Sequence, residues 1–280
     1  MSRIKHENIA TSSAIRIASI VNEYLYDDDI FSLEDAIDIY DINVVQRMFK
    51  PNKKTLLHYF IEMFCDPYED VDSLYKNSDQ EVALNIILRI LKEYKQIDNI
   101  EGFIFDDFVV SERINNDYDQ FIKNVQEFIT RNNKLIIDHL VHSTFQVLFL
   151  DRSFLHDFHK KVSEIVKKNI VYLASTYPGH FTVKQRIKRT EYWNTWLEDA
   201  IFYRDKGHCV ICRTDISKTL SVTGTVHIDH IIPLELFGSN DSSNLQLLCE
   251  SCNTSKGART TETNNMNVPF WNYDYKDKTE

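Results

Sequence analysis

Four of the chain's five cysteines stand as two Cys-x-x-Cys pairs, Cys209/Cys212 and Cys249/Cys252, and no other stretch narrows the options for folding as severely. Each pair offers two thiolates at the bite that a tetrahedral zinc takes, and two pairs close a four-coordinate site with no open position. Ordinary zinc modules separate their pairs by roughly 15–20 residues, whereas 36 residues (213–248) intervene here. That interval holds His227-Ile228-Asp229-His230-Ile231-Ile232-Pro233. A closed zinc site has no use for this histidine and carboxylate, which leaves them available for separate chemistry.

Bulk properties fit a chain with a sizeable core. It has 280 residues, of which 43% are hydrophobic and 12% aromatic, enough for one or two domains. No run approaches the ~18 uninterrupted apolar residues of a membrane span, and the start, Met1-Ser2-Arg3-Ile4-Lys5, lacks the apolar core of a secretory leader. A cytoplasmic location is therefore expected, with no membrane partner, and paired cysteines there read as metal ligands rather than disulfides. Cys65, in an apolar helical stretch, reads as a small buried hydrophobe.

Net charge is −10, yet residues 181–280 carry 12 Lys+Arg against 13 Asp+Glu, so the acidity resides upstream. A nucleic-acid binder without a basic field binds weakly, because phosphate contacts dominate such affinity. This implies that something else delivers or gates the C-terminal part.

The first ~175 residues contain one glycine, Gly102, and two prolines, Pro51 and Pro67, a scarcity of breakers that favours helix. Apolar residues recur at helical spacing over 10–26, 82–94, 121–129, 135–150 and 154–173, and Ser32 with Asp35 resembles a capping entry. Residues 103–110 fit either a short strand or a buried helical turn. Pro178-Gly179 after a long helical run marks a turn, and the densest basic cluster follows it, Lys184, Arg186, Lys188 and Arg189. The expected division is 1–177, an acidic helical domain; 178–262, a small zinc-containing domain; and 263–280, an irregular tail pinned by Phe270, Trp271 and Tyr273. Histidines 139, 142, 156 and 159 lack flanking cysteines and read as core or surface residues. Phe121, Phe128, Phe145, Phe149 and Phe154 read as core.

From residue 191 onward the order is amphipathic helix, first pair, a β-branched strand within 221–232, a loop, the second pair and a short helix. Tyr203-Arg204-Asp205-Lys206-Gly207-His208-Cys209-x-x-Cys212, Asp229-His230-x-x-Pro233, Asn244 and Cys249-x-x-Cys252-Asn253-x-x-Lys256 follow in sequence. This series resembles the HNH endonuclease family, in its zinc-stapled ββα-metal branch, over roughly residues 192–260. The resemblance implies an α+β chain: a mainly α-helical N-terminal domain followed by a ββα-metal nuclease domain held by structural Zn²⁺ on the four cysteines.

It also implies roles. His230 is the base that activates water, a task suited to a neutral imidazole near pH 7. Asp229 is a hard oxygen ligand for Mg²⁺ or Mn²⁺, and Asn253 stands at the family's last His/Asn position as a second ligand. Asn244 matches the central Asn that fixes the loop of the catalytic histidine, with a plain turn residue as the alternative. Asn in the last position favours Mg²⁺ or Mn²⁺ over metals suited to imidazole. Lys256 and Arg259, with Lys184, Arg186, Lys188 and Arg189, are candidate nucleic-acid contacts. The implied activity is metal-dependent hydrolysis of DNA, double-stranded first, with RNA left open. An antiviral-defence or restriction effector, gated by the helical domain, a protein partner or an oligomer, is one reading of the whole. A non-catalytic zinc-stapled nucleic-acid-binding adaptor is the other.

Overall fold

The scarcity of glycine and proline upstream of residue 175 is expressed as helix, and among the described residues the sheet is confined to the region of the cysteines. The computed structural model describes residues 11–27, 33–102, 118–217 and 226–264. Ser32, residues 103–110 and the aromatic tail at 270–273 lie outside them, as does the first half of the expected strand. The class is α+β.

The chain divides into two compact units, Met1–Asp38 with Leu56–Leu148, and Ile39–Thr55 with Phe149–Glu280. The first contains helices α1 (Thr11–Tyr26), α2 (Leu33–Ala36), α4 (Leu56–Glu62), α5 (Pro67–Asn77), α6 (Gln80–Tyr94) and most of α7 (Tyr118–Phe149). Helix α1 buries Ala14, Ile17, Val21 and Leu25, one helical stripe, and packs on α4. Asp66 and Asp79 cap α5 and α6 by accepting backbone N–H bonds. Cys65 is buried with its Sγ on the Ile61 carbonyl, and burial pushes its thiol up to about 12, which suits an inert core position.

The second unit contains α3 (Ile42–Phe49), α8 (Arg152–Lys168), α9 (Ile170–Thr176), α10 (Thr195–Arg204), β1 (Val226–His230), β2 (Leu245–Cys249) and α11 (Glu250–Lys256). Strands β1 and β2 pair antiparallel, with Asp229 opposite Gln246 and His230 opposite Leu245. Helices α10 and α11 pack on this hairpin. The junction expected at 177/178 lies inside the second unit, and the reason is a buried polar network. Arg152 on α8 and Arg204 on α10 donate to Asp205 Oδ1 at 2.9 and 2.8 Å. Asp205 Oδ2 accepts from Arg204 and from the Leu247 backbone of β2, both at 2.9 Å. One carboxylate thus joins α8, α10 and the sheet. All three side chains are buried, and the one carboxylate serves both arginines, so removing Asp205 would leave two buried guanidiniums without their shared counter-charge.

Candidate active site and zinc centre

Local backbone geometry prepares the first cysteine pair. Gly207 sits at φ +64°, and a Cβ there would meet Phe202 and Ser217 at 2.9 Å, so glycine is required. The chain then doubles back, with Cys209 N–H donating to Thr214 and Arg213 N–H to Cys209. The second pair opens α11: Cys249 is its N-cap, and its Sγ accepts from Cys252 N–H.

The four sulfurs lie within 4.8 Å of one another, with Cys212 Sγ and Cys249 Sγ 3.7 Å apart. Bonds of about 2.3 Å in a tetrahedron require sulfurs about 3.8 Å apart, so the cage fits zinc. Burial raises the Cys252 and Cys249 thiols; at Cys212 burial is outweighed by hydrogen bonding from Thr214, which brings it down to about 6. Thiols so crowded cannot all ionise without a cation among them.

Asp229, His230 and Asn253 border one cavity of about 400 Å³, together with Arg186, Arg189, Pro233 and Glu235. Two elements deliver them: the end of β1 supplies Asp229 and His230, and the middle of α11 supplies Asn253. His230 is 2% exposed and edge-on to Trp193 at 5.8 Å. Burial, and next the Arg189 guanidinium, push its imidazolium down to about 4, so the ring is neutral at pH 7. His227 lines a different cavity, with Trp193, Glu198 and Asp199, and is half-buried.

Asn244 is fully buried and bonded at every position of its amide. Its Nδ2 donates to the Ile232 and Ser239 carbonyls at 3.0 and 2.9 Å, and its Oδ1 accepts from Ile232 N–H at 2.9 Å. Ile231 N–H donates to its backbone carbonyl at 2.7 Å. Both ends of the loop that follows His230 are tied to this one residue. Gly238 completes the turn, since a Cβ there would lie 1.9 Å from the Ile232 carbonyl oxygen.

Lys256 departs from its expected place as a phosphate contact. It is 3% exposed, and its Nζ donates to Asp229 Oδ2 and to the His230 carbonyl, both at 2.8 Å. The packing of α11 on β1 turns the side chain inward, and a buried ammonium requires a partner. Of the remaining basic candidates, Lys184, Lys188, Arg189 and Arg259 are exposed. The run Lys184–Arg189 forms a tight turn closed by the Phe181–Ile187 bridge. Arg186 stacks on Phe237 at 3.7 Å and donates to the Glu235 carbonyl.

Asp229 and Asn253 fit a hard divalent cation in donor chemistry. Among the described residues Asp229 uses only Oδ2, and the Asn253 side-chain amide makes no hydrogen bond, so two oxygens remain uncommitted beside the cavity.

Sequence reasoning missed Asn240 and the residues that hold it. Asn240 is fully buried and its Oδ1 faces His230 Nε2 at 3.1 Å. His159, among the histidines read as core or surface, is buried on α8 with Nε2 2.9 Å from Ser243 Oγ. The run Asn240-Asp241-Ser242-Ser243-Asn244 was a visible signal, since five consecutive turn-forming residues ending at a family position mark a loop dense in side-chain bonds.

No curated protein and no solved structure matches the chain. Residues 209–259 match the family described as HNH endonuclease. That span runs from the first cysteine of the zinc cage to just beyond α11 and contains Asp229, His230, Asn244 and Asn253, so the C-terminal part of this chain carries a zinc-stapled HNH endonuclease module.

Proposed function

We propose that the chain is a metal-dependent endonuclease that hydrolyses DNA phosphodiester bonds at the cavity bordered by Asp229, His230 and Asn253. One observation carries this reading: a buried imidazole, neutral at pH 7, shares a cavity with two uncommitted oxygen donors. His230 takes the proton of the attacking water, and the water oxygen bonds to phosphorus as the 3′ oxygen departs. Asp229 and Asn253 would hold Mg²⁺ or Mn²⁺, which when bound supplies charge relief on the phosphoryl oxygens. Asn244 keeps the loop after His230 in place. Arg189 at the cavity rim, with exposed Lys184, Lys188 and Arg259, orients the phosphate backbone.

The first unit, where most of the acidity lies, acts as a regulatory or partner-docking part of a defence or restriction system. No helix among the described residues is long and apolar enough to cross a membrane.

The test is cleavage of supercoiled, linear and single-stranded substrates with Mg²⁺ or Mn²⁺ against EDTA. His230→Ala is expected to lower the rate by about 10²–10⁴-fold with zinc content and DNA binding intact. The adaptor reading is favoured by one observation, the Lys256 ammonium seated on Asp229. Binding of DNA without cleavage under every metal condition would establish it instead.

A further inference from the structure

Asn240 has no place in the family pattern above, yet its surroundings determine how the histidine is held. Its Nδ2 lies 3.0 Å from the Phe49 carbonyl and 2.8 Å from the Lys188 carbonyl. Carbonyl oxygens only accept, so the amide nitrogen must face them and Oδ1 must face His230. An amide oxygen 3.1 Å from His230 Nε2 requires that this nitrogen carry the proton. Nδ1 is then the bare nitrogen of the neutral ring.

What holds Asn240 comes from far upstream. Its backbone N–H donates to the Met48 carbonyl at 2.8 Å, and its side chain to Phe49. Both carbonyls belong to the last turn of α3, where a helix leaves its C=O groups without internal partners. Two residues along the loop, Ser242 Oγ accepts from Asn52 N–H at 3.0 Å and donates to the Asn52 carbonyl at 2.8 Å. The Phe49 ring stacks on His180 at 4.4 Å and meets Phe181 edge-on at 5.5 Å. Residues 39–55 therefore clamp the loop at 240–242, and in sequence they lie between the two stretches of the first unit.

We propose that Asn240 is the positioning residue of the general base, holding His230 as its Nε2–H tautomer with Nδ1 free to take the proton, and that the segment 39–55 is the clamp that keeps Asn240 in place. This rests on the nuclease reading and adds its regulation: the base is aligned only while the clamp is seated. Any ligand or partner that displaces residues 48–52 misaligns the imidazole without touching the cavity.

The experiment uses the full chain labelled with ¹⁵N at histidine, His230 being assigned by the signal missing in His230→Ala. Long-range proton–nitrogen spectra of the wild type are expected to show His230 as the Nε2–H tautomer. An Nδ1–H form, or an average of both, overturns the proposal without any further variant. Asn240→Ala is expected to lower kcat by about 10²-fold with KM for DNA little changed, and to mix the tautomers. Unchanged kcat overturns it.

Should Asn240→Ala fail to fold, Ser242→Ala tests the clamp from further away. Loss of a single neutral hydrogen-bonded group is expected to lower kcat about fivefold and to broaden the His230 signal. No change in either overturns the clamp. A wild-type chain that cuts nothing would sink the nuclease reading, while the tautomer spectrum would still judge the role of Asn240.

Discussion

The two corners of the HNH module are held by opposite means. At the cysteine corner, three of the four cysteines are partly or fully exposed. A single backbone bond among the described residues, Val210 N–H to the Leu247 carbonyl, ties the first pair to the strand leading into the second, so the cage relies on the cation it would hold. At the histidine corner, residues 239–244 are all buried and are joined by side-chain and backbone hydrogen bonds to α3, α8 and the turn before Arg189. The first corner depends on something the chain must acquire, the second on groups the chain already owns. The cysteine corner should therefore fail all at once when its ion is removed, and the histidine corner should fail by degrees, one bond at a time.

The largest effect is expected from zinc. Structural zinc contributes on the order of 10 kcal/mol to small modules, far more than the few kcal/mol of any single bond nearby. Cys209→Ser, or extraction with a strong chelator, should unfold the module and abolish cleavage even with excess Mg²⁺. Metal analysis with circular dichroism checks this, and retention of fold after zinc loss would mean that the polar corner carries both.

Next in size is Asn244→Ala. It strips three hydrogen bonds from a site with no exposure and strands the Ile232 N–H and two carbonyls. At about 1–3 kcal/mol for each stranded buried group, a loss of about 4 kcal/mol is expected in urea unfolding. A loss below about 1 kcal/mol would place Asn244 among ordinary turn residues.

How much of each corner could be read in advance follows from the same contrast. The cysteines announce themselves because their spacing is local, and Asp229 and His230 were singled out because the Asp-His-x-x-Pro series resembles the family pattern. Asn240 was not, because its partners at residues 48, 49 and 188 are fixed by packing alone, and no periodicity records a bond to a helix end nearly two hundred residues away. Lys256 looked solvent-facing at the end of a seven-residue helix, and only the seating of α11 on β1 turns it inward. The long helices and their core stripes were legible from breaker scarcity and spacing. The Pro-Gly turn at 178–179 reports a local break, whereas the Arg152–Asp205 bridge that spans it is buried and sequence-silent.

Acid sharpens the comparison in a different way. His159 is 1% exposed, and burial, then the nearby His230 and His156, push it down to about 3. Above pH 6.5 the ring is neutral whether the chain is folded or not, and its packing contributes fully. As pH falls from 6.5 towards 3, the unfolded chain takes up a proton that the folded chain refuses, so stability is lost through that window. At 1.36 kcal/mol per pH unit, about 2 kcal/mol should disappear between pH 6.5 and 5. His159→Gln, which keeps a donor for Ser243 without titrating, should flatten the acid limb by that amount. Parallel wild-type and variant curves would assign the limb to other groups.

The smallest effect concerns Lys256 and separates the two corners by charge. Four thiolates call for a cation by themselves, but at the histidine corner the Asp229 carboxylate is already neutralised by the Lys256 ammonium at 2.8 Å. Mg²⁺ or Mn²⁺ should therefore bind the free protein weakly and gain most of its hold from the phosphate that arrives with the substrate. Lys256→Gln keeps a donor to the His230 carbonyl while removing the charge, and should tighten Mn²⁺ binding to the nucleic-acid-free chain about tenfold, or ~1.4 kcal/mol. Titration calorimetry on the zinc-loaded protein measures this directly. Equal affinity in the two chains would mean that Asp229 is not where the ion enters, and the case for Asn253 as its companion ligand would fall with it.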